Sequence, residues 1–372
     1  MPVNPPTPHA PLSRSVNIRR AIGQKTLAIF EGWSYREIDV PLLDYFDHLR
    51  DAIEPDAANR TFRFVDREGN LRVLRADVTP AIAKIYAQQL THLPLPLRLS
   101  YANKIVRIER SFTSEQIDAY QLGVEMLGAP GLVPELEVLL ICVEVLDALG
   151  IDDYQIKLSN LAIYRRLLAR SSVPASLYPR ITAAVRDRDP FEIKRLLHST
   201  GVRPNISEAL QCLAELQGGI AQLSRIQEAV PRDDVLEAAC LHMERLMGAM
   251  RDLGKADRLH IDMGHIHGPM YYTGVMFRVI SESIGRELGG GGRYDDLIGT
   301  FGAPAPAVGF SLGLDALMEI IAPHASEMSH LDHPPEATIA IDPDAPADGL
   351  REVLARRAAE QVACVTTSNP RT

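Results

Sequence analysis

The chain has 372 residues, 46% of them hydrophobic and 23% charged, with a net charge of −9 and a pI near 5.7. That length accommodates one large domain plus a smaller one. The acidic balance argues against a general nucleic-acid-binding surface, which carries an excess of Lys and Arg. The opening segment MPVNPPTPHAP lacks the apolar centre of a signal peptide, and no apolar run approaches a membrane span. A cytoplasmic protein with no membrane contact is expected, with residues 1–16 flexible.

In chain order, a helix is predicted from about Asn17 to Trp33, with Ile18, Ala21, Ile22 and Leu27 on one stripe. Two short strands follow around Glu68-Gly69-Asn70, a hairpin turn signal. Thr79 and Pro80 read as the N-cap and first residue of a helix reaching about Leu90. Next come two strand-like runs, RLSYANKIVRIERSF and DAYQLGVEMLG, joined by a polar loop. In the second, Tyr120, Leu122, Val124 and Met126 alternate with Gln121, Gly123 and Glu125, so one face is apolar and the other polar. In the first, Arg107 and Glu109 share a face, and the pair reads as an antiparallel hairpin with a polar working face.

Pro134 opens a strong helix ending near Gly150, and YQIKLSN is the next strand. From about Leu161 to Lys255 the pattern is almost purely helical and carries no motif of its own. Strands return with RLHIDMG, YYTGVMFRVIS and GGGGRYDDLIGTFG, and AVGFSLGLDALMEII reads as a strand turning into a buried helix. A linker by composition precedes a short strand, ATIAI, and a helix from about Ala347 to Val362. Cys142, Cys212, Cys240 and Cys364 form no C-x-x-C pair, so buried inert thiols are expected rather than a metal site.

Taken singly, the motifs are weak. GGGGRYDDL matches no phosphate-loop pattern and reads equally as a tight turn beneath a ligand or as a phosphate cradle. Asp77 and Thr79 are explained by a helix start, although their oxygens also suit an ammonium group. Gln121 and Glu125 fit an exposed sheet face as well as a small-molecule site. Tyr271 and Tyr272 point to opposite faces, one toward core and one toward the site. His265 and His267 have no third ligand at a recognisable spacing, so no metal is expected.

Jointly, the segments LRADVTP, RIER with YQLGVEMLG, GPMYYTGVMF, GGGGRYDDL and AVGFSLGLDAL resemble the catalytic domain of class II aminoacyl-tRNA synthetases, specifically the histidyl member. They occur in that family's order across most of residues 17–325. The resemblance implies an α+β fold, an antiparallel sheet flanked by helices, with a helical insertion at about 161–255 and residues 326–372 as linker and short strand–helix segment. It also implies a histidine pocket. Asp77, Thr79 and Gln121 fall where the family grips the α-amino group; Glu125 falls where it meets the imidazole, with Tyr272 and Tyr294 closing round the ring. Arg107 falls where the family holds a nucleotide phosphate.

The departures carry equal weight. His267 and Ala316 stand where the family aims arginines at the reacting groups and the ATP γ-phosphate, and Met270 replaces an aspartate. Losing one phosphate-directed donor costs on the order of a hundredfold in rate. Only about 35 residues follow the linker, too few for a tRNA-reading domain. A synthetase-like chain of this kind resembles the regulatory subunits of ATP phosphoribosyltransferase. The resemblance implies a non-catalytic protein with no cofactor, histidine as effector, a homodimer, and a short-form catalytic subunit as partner. The alternative is a divergent histidyl-tRNA synthetase or a synthetase-like ligase.

Overall fold

A computed structural model of the chain describes residues 13–52, 59, 61–107, 118–198, 200–218, 220–266, 271–324, 338–341, 347, 350–352, 354–355 and 364–367. A nine-stranded sheet organises it, in the order β1-β5-β6-β12-β11-β10-β7-β9-β8. These strands are β1 (Arg36–Glu37), β5 (Leu97–Val106), β6 (Asp118–Leu127), β7 (Tyr154–Asn160), β8 (Gln217–Gly218), β9 (Leu259–Asp262), β10 (Val275–Ser281), β11 (Arg286–Arg293) and β12 (Ala307–Gly313). The six strands from β5 to β7 in that order pair antiparallel. The flanks differ from the expectation of a purely antiparallel sheet: β1 joins β5, and β9 joins β7, in parallel. Parallel pairing is set by long connections, here the helical segment between β7 and β9, and local alternation does not encode it.

The hairpin expected at residues 98–128 is the centre of the sheet. β5 and β6 pair over ten residues each, from Leu97 opposite Leu127 to Val106 opposite Asp118. The two-residue period sends Leu122, Val124 and Met126 into one core, where they are at most 1% exposed. There they meet the Leu132–Ala148 helix, the Ser13–Gly32 helix and the Leu314–Ile321 helix. Phe30 sits edge-on to Phe310 of β12, ring centres 6.0 Å apart. The opposite pleat contributes Leu127, Leu99 and Tyr101 to a second core with Val78, Ile82 and Tyr86, so the sheet is covered on both faces at this end.

A smaller sheet comprises β2 (Leu43–Tyr45), β3 (Arg63–Val65) and β4 (Leu71–Leu74). Its β3–β4 hairpin turns at Gly69, whose φ of +87° is the conformation the Gly-Asn signal predicts. Between β7 and β9 the described residues form six helices: Leu161–Ser171, Tyr178–Arg186, Pro190–His198, Pro204–Glu215, Ser224–Ala229 and Asp234–Asp252. Asn160 caps the first through Ala162 N, at 3.0 Å, and Asp233 caps the last through Leu236 N, at 3.1 Å. Asp233 is buried and also receives Arg166 and Arg170, at 2.9 and 3.0 Å, which ties the first and last helices together.

The first helix begins at Ser13, four residues before the apolar stripe predicts, because a stripe marks the buried face and not the first turn. At the other end, β13 (Thr338–Ile341) pairs in parallel with β14 (Cys364–Thr367), a strand the sequence pattern did not suggest. Of the helix expected between them, residues 347, 350–352 and 354–355 are helical and the others lie outside the described residues.

One buried ion pair fixes the long helix to the sheet. Arg98 of β5 meets Glu137 twice, Nε to Oε1 at 2.8 Å and Nη2 to Oε2 at 2.9 Å, and the Tyr35 hydroxyl donates to Oε1 at 3.0 Å. Glu137 is fully buried, so removing the guanidinium strands a charge, at a cost of about 3–5 kcal/mol. Arg98→Ala is therefore expected to lose stability in that range in urea unfolding, and Arg98→Met with Glu137→Leu to recover most of it. A loss under about 1 kcal/mol for the single variant contradicts this assignment.

Candidate functional site

The site grows from the polar pleat of β6. Gln121, Gly123 and Glu125 share that face, opposite Asn103, Tyr101 and Leu99 on β5 and Gly313, Ser311 and Gly309 on β12. The glycines make the room. A Cβ at Gly309 would overlap the Glu125 carboxylate, and one at Gly123 would sit 2.5 Å from the Tyr101 hydroxyl. Two side chains can thus lie flat over the sheet where side chains at 123 and 309 would exclude them.

Glu125 is not on an open face. It is 1% exposed, and its carboxylate accepts hydrogen bonds from three hydroxyls. Thr79 donates to Oε1 at 2.6 Å, Tyr101 to Oε1 at 3.3 Å, and Tyr294 to Oε2. Of the two readings the alternation allows, the exposed sheet face does not hold for Glu125. A strand face that alternates polar residues becomes interior when a helix covers it, and the Thr79–Ile85 helix does so. Burial pushes Glu125 up to about 8, against the downward pull of the Thr79, Tyr294 and Tyr101 hydroxyls and with a further push from Asp77.

Thr79 also departs from its expected role. The helix starts at Thr79 with Val78 in the capping position and no side-chain cap, and the Thr79 hydroxyl is spent on Glu125. Asp77, half-buried just ahead of this helix, accepts a hydrogen bond from the Tyr271 hydroxyl at 2.8 Å. The Tyr271 ring lies 5.2 Å from Tyr272 and 5.7 Å from Tyr294, both edge-on. Burial raises all four tyrosines, Tyr101, Tyr271, Tyr272 and Tyr294, above the usual range, so each is a neutral hydroxyl at physiological pH.

The predicted residues Asp77, Thr79, Glu125, Tyr272 and Tyr294 thus converge. Gln121 lies on the same pleat as Glu125, four residues along, and its Oε1 is buried without a hydrogen-bond partner. Tyr101 and Tyr271 complete the cluster and were not singled out as site residues. Tyr101 was hidden because it reads as one more apolar position on β5. Tyr271 was assigned no role because strand alternation sends neighbours to opposite faces, whereas residues 271–274 precede β10 and follow no such rule. Arg107 is half-buried just beyond β5, in an isolated bridge with Thr61.

The four glycines of GGGGRYDDL form neither turn nor phosphate cradle. Gly289–Gly292 run inside β11, between β10 and β12. Cβ atoms at Gly290 and Gly292 would lie 2.5 and 2.6 Å from the carbonyls of Phe277 and Val275, so close backbone approach requires glycine. At the end of β11, Arg293 pairs with Glu135 and reaches Asp295 at 3.1 Å and the Gly131 carbonyl at 2.6 Å. These bonds anchor the strand end from which Tyr294 reaches Glu125.

Ala316 occupies the first turn of the Leu314–Ile321 helix and is 7% exposed. His267 and Met270 lie outside the described residues. His265 is buried, its carbonyl accepting from Ser159 at 2.7 Å and its Nδ1 3.4 Å from Arg278. Cys142, Cys212 and Cys240 are buried free thiols, and burial raises the Cys142 and Cys240 thiols well above the usual range. Among the described residues no group of three or more His, Cys, Asp and Glu is placed to hold a metal ion, and no helix is long and apolar enough to cross a membrane.

The histidyl-tRNA synthetase family profile matches residues 11–317. An ATP phosphoribosyltransferase regulatory subunit of Geobacter metallireducens is 31% identical over 298 residues, spanning 80% of this chain and 68% of that protein. Another, from Gloeobacter violaceus, is 33% identical over 302 residues, 81% of this chain and 74% of its own. Among solved structures, a Bacillus halodurans protein described as an ATP phosphoribosyltransferase regulatory subunit/histidyl-tRNA synthetase superposes with a TM-score of 0.77 at 22% identity, covering 100% of this chain and 94% of that one. The histidyl-tRNA synthetase of Nostoc sp. PCC 7120 gives a TM-score of 0.70 at 19% identity, covering 99% and 87%. At these identities the structural likeness concerns the fold: class II synthetase-like, α+β.

The burial of Glu125 has a thermodynamic consequence. Its folded-state value of about 8 exceeds the ordinary carboxyl value, so between roughly pH 4.5 and 8 the folded chain binds more protons than the unfolded one. Its stabilising contribution is complete below pH ~4.5 and is lost as pH rises toward 8. Relative to Glu125→Gln, which does not titrate, the wild type is expected to lose stability on the order of 3 kcal/mol between pH 5 and pH 8 in denaturant titrations. Parallel curves for the two proteins across that interval contradict a proton-holding Glu125.

Proposed function

The chain belongs to the family of ATP phosphoribosyltransferase regulatory subunits, built on the histidyl-tRNA synthetase fold, and we propose that it is a non-catalytic partner that senses histidine in the pocket around Glu125. Its partner on this reading is a short-form ATP phosphoribosyltransferase, which joins ATP and phosphoribosyl pyrophosphate at the start of histidine biosynthesis. The assembly forms in the cytoplasm around a homodimer of this chain.

The observation that carries the reading is the intact pocket beside a missing charge. Thr79, Tyr101 and Tyr294 all hydrogen-bond to Glu125, and Tyr271, whose ring lies against Tyr294, hydrogen-bonds to Asp77. Asp77 and the unpartnered Gln121 Oε1 supply acceptors for an ammonium group, and Glu125 supplies one for a ring N–H. The aromatic rings of Tyr271, Tyr272 and Tyr294 provide the apolar walls an imidazole needs. Against this, Ala316 and His267 stand where the synthetase relatives aim arginines, and an alanine offers no charge to a polyphosphate. Such a site can bind an amino acid without activating it.

Histidine bound here regulates the partner only if the two conformations of the assembly differ in affinity for it. A reconstituted complex of this chain with a short-form catalytic subunit is expected to form phosphoribosyl-ATP and to be inhibited by histidine. Because hydrogen bonds to charged groups contribute roughly 1.5–3 kcal/mol, Glu125→Gln should move the inhibition curve to about 10- to 100-fold higher histidine. Inhibition curves that coincide for the two proteins, each normalised to its own uninhibited rate, would place sensing on another surface.

A further inference from the structure

The company Glu125 keeps is unusual for a carboxylate meant to meet a cationic ligand. Its hydrogen-bond partners are the hydroxyls of Thr79, Tyr101 and Tyr294, and among the described residues it forms no ion pair. The groups around it come from the surrounding elements: Asp77 and Thr79 at the helix start, Tyr101 from β5, Tyr271 and Tyr272 ahead of β10, Tyr294 after β11, and Tyr35 beyond the Ser13–Gly32 helix. On β12 its register partner is Gly309. Among the described residues the charged neighbour is Asp77, which is negative and disfavours a second negative charge.

A shell of hydroxyls differs from a shell of guanidinium or ammonium groups in one respect. A guanidinium only donates, whereas a hydroxyl both donates and accepts. Thr79, Tyr101 and Tyr294 can all donate to an ionised Glu125, and one of them can turn to accept from a protonated Glu125. The shell satisfies both states without moving a heavy atom.

We propose that Glu125 is uncharged in the empty pocket and hands its proton to the ring of the bound histidine, so that the pocket selects a side chain able to accept a proton. This rests on the reading that histidine is the ligand. In the step, the O–H bond of the Glu125 carboxyl breaks and the lone pair of the unprotonated imidazole nitrogen takes the proton. The products are a carboxylate held by three hydroxyls and an imidazolium, and no proton is exchanged with water. An asparagine or glutamine side chain has the polarity to enter but is not basic, and leaves Glu125 protonated beside Asp77.

Magnitudes favour the transfer. Before binding, Glu125 at about 8 is a weaker acid than an imidazolium at ~6.5. Contact between opposite charges favours the transferred state by roughly 1–3 pH units, counted once for the pair, so an attraction above about 1.5 units reverses that order. Asp77 adds to the reversal, because the negative charge that opposes ionisation of Glu125 in the empty pocket attracts the imidazolium in the filled one.

Two measurements on the full chain at pH 7.5 test this together. The 15N spectrum of bound ring-labelled histidine reports its protonation, and calorimetry in buffers of different ionisation heat counts the protons taken from solution. The expected result is an imidazolium in the complex with uptake of less than about half a proton per histidine, although free histidine is neutral at this pH. Glu125→Gln should bind histidine with a neutral ring or not at all. A neutral ring in the wild-type complex overturns the proposal, as does an imidazolium accompanied by uptake of a full proton from the buffer. Either outcome leaves histidine bound, so the pocket reading survives while the proton transfer falls. Absence of histidine binding to the wild type would remove both.

Discussion

The structure around the pocket depends on a carboxylate placed where a sheet and a helix close on one another. Glu125 emerges from the central hairpin into a second core, and among the described residues its hydrogen-bond partners are hydroxyls from three separate elements. An unsatisfied buried carboxylate costs several kcal/mol, so Thr79, Tyr101 and Tyr294 are held in place by the same interaction that the ligand would use. That constraint accounts for the glycines at 123 and 309, which leave room for the side chains, and for the anchoring of β11 by Arg293, which aims Tyr294.

Much of this was legible in the sequence, for reasons that can be named. The β5–β6 hairpin follows from strict alternation, and the run of helices between β7 and β9 from a 3.6-residue period repeated without strand signals. The convergence of Asp77, Thr79, Glu125, Tyr272 and Tyr294 was reached through the order of several family segments, since no single spacing brings residues 46 positions apart together. What stayed hidden was tertiary. Alternation says which residues share a face but not whether a helix will cover it, so by itself it left Glu125 open to an exposed face as well as a site. Thr79 looked like a cap because a threonine before a proline is one locally, and only the distant carboxylate redirects its hydroxyl. The glycine run, though placed among the returning strands, also suited a tight turn or a phosphate cradle because glycines permit both. Here they let three strands approach more closely than side chains permit. The two-residue strands β1 and β8 carry no pattern long enough to detect.

On the proposed reading, the contrast between the pocket around Glu125 and the alanine at 316 gives the chain its physical logic. Binding an amino acid needs acceptors, apolar walls and a fixed sheet, all of which the chain builds from its core. Activating one needs positive charge directed at phosphates, which is a matter of a few side chains and can be lost without changing the fold. If the proposed function holds, a synthetase scaffold has here been turned into a sensor by subtraction.

The most direct test of that account is equilibrium dialysis of the purified chain against labelled histidine in the presence of Mg-ATP, followed by identification of the bound label. The account predicts one histidine per chain, recovered as free histidine with no adenylate formed. Failure to retain histidine, or recovery of the label as histidyl-adenylate, would contradict it.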